Sequence, residues 1–129
     1  MATVQFSARD LLRGRVVDPA WYKVKIEGVG ESPSKDGGST NYPVEATIIK
    51  NADTGDEKFA GVPIEWNFNS KAIGFARGFL ESLGVPLEAD KRYDLSQAAG
   101  EIIDVFVEND TYQGRTVNRV NHKYRKASA

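Results

Sequence analysis

Arg115, Arg119, Lys123 and Arg125 recur at even spacing near the end of the chain, so a regular strand through them projects all four cations from one side. No acidic residue follows Asp110, and nothing within that strand neutralises the stripe. Spaced cations beside exposed π-faces are what a phosphodiester backbone requires, whereas charges on an edge strand also block edge-to-edge pairing. Trp21 shares a strand face with Lys23 and Lys25, an arrangement in which an indole stacks a base while ammonium groups meet phosphates, or in which the indole caps the end of a sheet. Tyr42 and Tyr112 are further stacking candidates, and Lys35 adds a loop cation. Phe106, opposite in face to Ile103 and Val105, is either one more stacking ring or covered by the amino-terminal segment.

Other chemistry is harder to assemble. Asp53-Thr54-Gly55 matches an aspartic-protease tripeptide, but that reaction needs two such carboxylates sharing a proton, and this one sits among turn residues. Gly28-Val29-Gly30 opens like a dinucleotide fingerprint, yet Pro33 stands where its last glycine belongs and no helix follows. One histidine, His122, and no cysteine leave no Cys-His pair, and the carboxylates lack metal-ligand spacing. The expectation is a protein that is no enzyme, with no catalytic residues, no metal and no cofactor.

Composition sets the frame. The 129 residues are 40% hydrophobic and 27% charged, the profile of one folded domain. A formal net charge of -1 argues against binding by bulk charge, so any polyanion site must be local. Five of the seventeen basic residues fall in the last fifteen positions. The absence of cysteine, of a signal-peptide pattern and of a long apolar run predicts a cytoplasmic protein with no membrane partner.

The elements that must position these residues follow from periodicity. Ser7 and Gly14 bracket a short helix carrying Arg9 and Arg13. Strands are predicted over 21–29, with Tyr22, Val24 and Ile26 inward; over 42–50, with Tyr42, Val44, Ala46 and Ile48 inward; and within 59–69, with Trp66 and Phe68 in the core. A polar, glycine-bearing loop, 30–41, separates the first two strands. A helix capped by Ser70 spans 71–83, burying Ala72, Ala76, Phe79, Leu80 and Leu83, with Gly74 and Gly78 permitting close packing and Gly84 ending it. A fourth strand, 103–108, turns through 109–114 into the basic strand. The predicted class is mainly β (α+β): a five-stranded OB-fold-like barrel with one helix between strands 3 and 4 and a short N-terminal helix. Residues 1–20 form an N-terminal segment and 21–126 the single domain.

Tyr112-Gln113-Gly114-Arg115, Asn118-Arg119-Val120 and the opening Trp21-Tyr22-Lys23-Val24-Lys25-Ile26, in that setting, resemble a family of bacteriophage single-stranded DNA-binding proteins. The resemblance covers roughly Trp21 to Tyr124 and implies an OB-fold that coats and protects single-stranded DNA in phage replication or recombination. DNA-binding residues would then be Trp21, Lys23, Lys25, Lys35, Tyr42, Tyr112, Arg115, Arg119, Lys123 and Arg125. Partners would be single-stranded DNA, phage or host replication and recombination proteins, and a second copy of the chain. One departure is the basic ending, Lys123 to Ala129, where many such proteins carry an acidic recruiting tail. The alternative is a non-catalytic phage structural or assembly protein using the barrel for protein contacts.

Overall fold

A computed structural model describes residues 2–127; Met1 of the amino-terminal segment, and Ser128 and Ala129 of the basic ending, lie outside them. Helix α1 (Ala8–Leu12) precedes strands β1 (Ala20–Val29), β2 (Ser32–Pro33), β3 (Thr40–Asn51) and β4 (Pro63–Asn69). A 3-10 segment (Ser70–Phe75) leads into α2 (Ala76–Ser82), and a second 3-10 turn (Leu95–Ala98) precedes β5 (Ile102–Tyr112) and β6 (Arg115–Lys126).

Every strand pairing is antiparallel: β1 lies between β3 and β5, β4 and β2 pair with β3, and β6 pairs with β5. Among the described residues β4 and β6 share no ladder, so the sheet is open. The mainly-β, α+β class is observed, with helices flanking the sheet, but the predicted barrel is not: alternation within strands reports which face is buried, and says nothing about whether the two outermost strands meet.

The inward faces match the alternation. Tyr22, Val24, Ile26, Val44, Ala46, Ile48, Ile64, Trp66, Phe68, Ile103, Val105 and Val107 are buried together with Phe79. Burial of such rings and branched chains is worth roughly 1.5–3 kcal/mol each. Asn51, Thr54 and Gly55 make the turn after β3: the Asn51 Oδ1 accepts from the backbone N–H of Asp53 and of Thr54, and Gly55 takes φ 77°. Asp53-Thr54-Gly55 is thus turn chemistry.

Three elements differ from expectation, the first being the two-residue strand β2 inside the loop predicted over 30–41, which makes six strands where five are predicted. The helix after β4 is not continuous, because Ala72 leaves helical geometry (φ -128°, ψ 39°). Ser70 is drawn away to β3, its Oγ accepting from Thr40 N–H at 2.9 Å, and Asn69 caps instead through Lys71 N–H. Ala72 is exposed as a result. A Cβ at Gly78 would meet Tyr124 at ordinary contact, 3.5 Å, and one at Gly74 would meet nothing, so neither glycine is required for packing. Gly84, at φ 81°, does end the helix as expected. The final hairpin is also longer than predicted. Strand pairing runs through Tyr112↔Arg115, and the loop is only Gln113-Gly114, both at positive φ, the signature of a tight primed turn.

The gap between β4 and β6 is bridged from both ends. At one end α2 lies against β6, with Phe79 5.5 Å from the Tyr124 ring centroid and Trp66 6.1 Å from it. At the other, the segment after α1 is sewn to β6: Asn118 accepts from Val17 N–H at 2.9 Å and donates to the Arg15 carbonyl at 2.7 Å. Ser7 and Asp10 form a capping box on α1, which buries no residue of its own.

Candidate functional site

The outward face of β1, β5 and β6 carries most of the residues singled out in the sequence. β5 advances two residues, Val105 to Val107, where β6 advances four, Tyr124 to Val120. The two extra residues preserve parity, so Arg115, Arg119, Lys123 and Arg125 keep a common side, as the even spacing predicts. Their charges, however, are largely spoken for across the hairpin. Arg119 pairs with Asp110 at 2.8 Å, Lys123 approaches Glu108 at 4.0 Å, and Arg125 meets Asp104 at 3.1 Å and Asp53 at 2.6 Å. Hydrogen bonding from Arg119 is the leading cause that holds the Asp110 carboxyl below its ordinary range. The bond to Asp53, and then that to Asp104, raises the Arg125 guanidinium further.

Trp21 and Phe106 meet edge to face at 5.6 Å. Arg125 lies over Trp21 at 4.3 Å and Lys123 over Phe106 at 5.3 Å, so these rings already hold the cations. Asp104 is fully buried beneath this arrangement, in register with Lys23 on one side and Arg125 on the other. Lys25 and Lys35 are exposed, the latter in the loop before β3.

The three stacking candidates do not form one surface. Trp21 is opposite Phe106, Tyr112 lies six residues farther along β5 at the hairpin tip, and Tyr42 packs inward against the core. At a strand rise of about 3.3 Å per residue, Trp21 and Tyr112 are about 20 Å apart. The outward neighbours of Tyr42 are Asn41 and Pro43, opposite Asn69 and Asn67, and the next outward pair sets Glu45 directly opposite Glu65. Arg9 relieves that like-charge pair. It reaches Glu45 at 3.9 Å and donates to Thr47 Oγ1.

His122 sits in the β6 bulge at φ 50°, stacked on Phe75 at 4.7 Å and 5.6 Å from Phe68. Its Nδ1 lies 3.0 Å from the Tyr124 hydroxyl. Partial burial, and secondarily Arg119, lowers its pKa, so it is neutral at pH 7. Burial raises the Tyr124 phenol, against a smaller opposing pull from the Trp66 indole N–H. Among the described residues no cluster of three or more His, Asp and Glu is placed to hold a metal.

A further concave surface lies elsewhere. A groove of about 840 Å³ runs between α2, the connection that follows it, and the ends of β1 and β3. Val29, Tyr42, Ala76, Leu80 and Leu95 line it, Ile73 and Leu87 stand exposed on it, and charges of both signs, Arg77, Lys91, Arg92, Glu31 and Glu88, accompany them. Tyr93 fixes the connecting loop, accepting from Glu88 N–H at 2.7 Å and donating to the Pro86 carbonyl at 3.0 Å. Asp94 caps the 3-10 turn through Ser96, and those bonds hold its carboxyl below the ordinary range. Of these residues the sequence singles out Tyr42 alone as a ligand contact. Apolar Val85, Leu87, Tyr93 and Leu95 inside an otherwise polar connection are the one available signal for the rest.

Among the described residues no helix is long and apolar enough to cross a membrane. No family model matches the chain, and no curated protein does. The resemblance to phage single-stranded DNA-binding proteins is therefore corrected. It rested on motif order in an OB-fold-like barrel, and the sheet is open, with no barrel formed. Coating of single-stranded DNA and phage assembly lose their basis with it, and three of the four cations that suggested a phosphate track, Arg119, Lys123 and Arg125, are paired to acids of β5.

Proposed function

We propose that this chain is a non-catalytic binding module that takes an extended polypeptide segment, anchored by apolar side chains, in the groove beside α2. The observation that carries this is the groove's composition: apolar floor and walls, two large hydrophobic residues exposed along it, and a charged surround of mixed sign. An apolar centre with a polar rim is how protein surfaces receive a partner's side chains while keeping its backbone solvated. Asp94, the groove carboxylate with a perturbed pKa, is committed to capping, which suits positioning and not proton transfer. A cytoplasmic setting accompanies this reading, since a chain without cysteine has no disulfide to form.

Selection of short displayed peptides on the immobilised protein tests the proposal. Enriched peptides should carry a large apolar residue and bind about tenfold more weakly to Ile73→Asp or Leu87→Asp, the size expected for losing one anchor. Both positions are exposed, so folding should survive. A selection that yields no binder, or binders indifferent to both substitutions, overturns the reading. Retention of a labelled oligothymidine that Trp21→Ala abolishes would move recognition to the outer sheet face.

A further inference from the structure

The amino-terminal segment presents the converse of the groove. Residues 2–7 belong to no helix or strand, and α1 buries nothing. Val4, Phe6 and Leu11 are 77%, 65% and 71% exposed. Attachment of the segment to its own domain is concentrated farther along, at Arg15 over Phe59 (5.4 Å), at the buried Val17 and at the Asn118 bonds. Upstream of Gly14 it rests on Arg9 against Glu45 and Thr47, and on Leu12 over Gly61. Arg9 thus fixes the base of an arm whose first residues carry apolar side chains with no place in their own chain.

Among the described residues, all the exposed large hydrophobics but Ile102 and Tyr112 of β5 fall in two places. Val4, Phe6, Leu11 and Val16 belong to the amino-terminal segment, and Ile73, Phe75 and Leu87 to the groove and its approach. We infer that the groove's polypeptide ligand is the arm of a second copy of this chain, with Phe6 and Val4 as the anchors. This rests on the groove reading above and names its occupant. In an extended segment Val4 and Phe6 fall on one side, separated by two residues, so both can enter one trough while Gln5 faces out. Six extended residues reach about 20 Å beyond the Arg9 anchor, enough to cross to a neighbour. Residues 2–7 carry no charged side chain, and the groove's flanking charges are of both signs: Arg77 is satisfied by Glu81 at 2.8 Å, leaving Lys91 and Arg92 against Glu31, Glu88 and Asp94. An uncharged apolar segment therefore sets no like charge against any of them.

Arm into groove is a heterologous contact: each copy offers one of each and the interface does not close on itself. Association should be weak, because two side chains bury far less than a stable interface. Sedimentation velocity from dilute to millimolar protein should show the mass rising from the 14.2 kDa monomer through dimer to larger species. Phe6→Asp and Ile73→Asp should each hold the chain monomeric. Mixed together, they should form a 1:1 dimer and nothing larger, since the arm of one enters the groove of the other and the remaining arm and groove are disabled. A wild type that stays monomeric throughout, self-association untouched by Phe6→Asp, or a mixture that does not pair overturns the inference. If displayed peptides still bind the groove in those cases, the groove reading stands and only its occupant is wrong. If they do not, both fall.

Discussion

Replacing Arg125 by Met separates a structural cation from a solvated one. Arg125 bonds the fully buried Asp104 at 3.1 Å and lies 4.3 Å over Trp21, while its own side chain is 39% exposed. A hydrogen bond to a charged group contributes about 1.5–3 kcal/mol and a cation–π contact about 0.5–1 kcal/mol. The partial exposure of Arg125 places the sum near the lower end, about 2 kcal/mol. Unfolding entropy of about 2.1 cal/mol/K per residue over 129 residues gives about 0.27 kcal/mol/K, so Tm should fall by about 7 °C. The assay is thermal unfolding followed by far-UV circular dichroism, with Asp53→Asn as the control. Asp53 is the exposed partner of the same guanidinium, and its loss should move Tm by less than about 2 °C. A shift for Arg125→Met as small as that of the control would refute the assignment, since it would mean Asp104 is stabilised without its Arg partner.

Gly84→Ala should lower stability by about 1 kcal/mol, read as a Tm drop of about 4 °C, because φ 81° strains any L side chain there although a Cβ would meet only Lys126 Cε, at an ordinary 3.9 Å. Gln113→Asn should raise Tm by about 1–2 °C, since Asn tolerates the left-handed conformation of this two-residue turn better than Gln. NMR titration of His122 should give a midpoint below the ordinary histidine value of about 6.5. Because the unfolded chain then binds the proton more tightly than the folded one, stability should decline as pH falls through that ordinary value toward the folded one. Phe75→Ala, which uncovers the ring, should return the midpoint toward the ordinary value. No change in midpoint would contradict burial as the cause.

Strand periodicity by itself determined the inward faces. Tyr22, Val24 and Ile26, then Val44, Ala46 and Ile48, then Trp66 and Phe68 are buried as their alternation requires, because a pleated strand leaves each side chain only two directions. Local chemistry was equally legible: Ser7 caps α1, Asn51 to Gly55 turn, and Gly84 stops α2 because each acts on its own backbone neighbours. Even spacing correctly put Arg115, Arg119, Lys123 and Arg125 on one side. What those cations do was decided by register, which sets Arg119 against Glu108 and Arg125 against Asp104. Neutralisation across a hairpin cannot be seen by scanning one strand for acids. The break at Ala72 arose in the same way, from Thr40 of a distant strand claiming the Ser70 hydroxyl. Closure of the sheet, and assembly of the groove from three segments far apart in sequence, depend on where α2 and the outermost strands settle in space. Those placements are set by packing among residues distant in the chain, and local pattern carries no record of them.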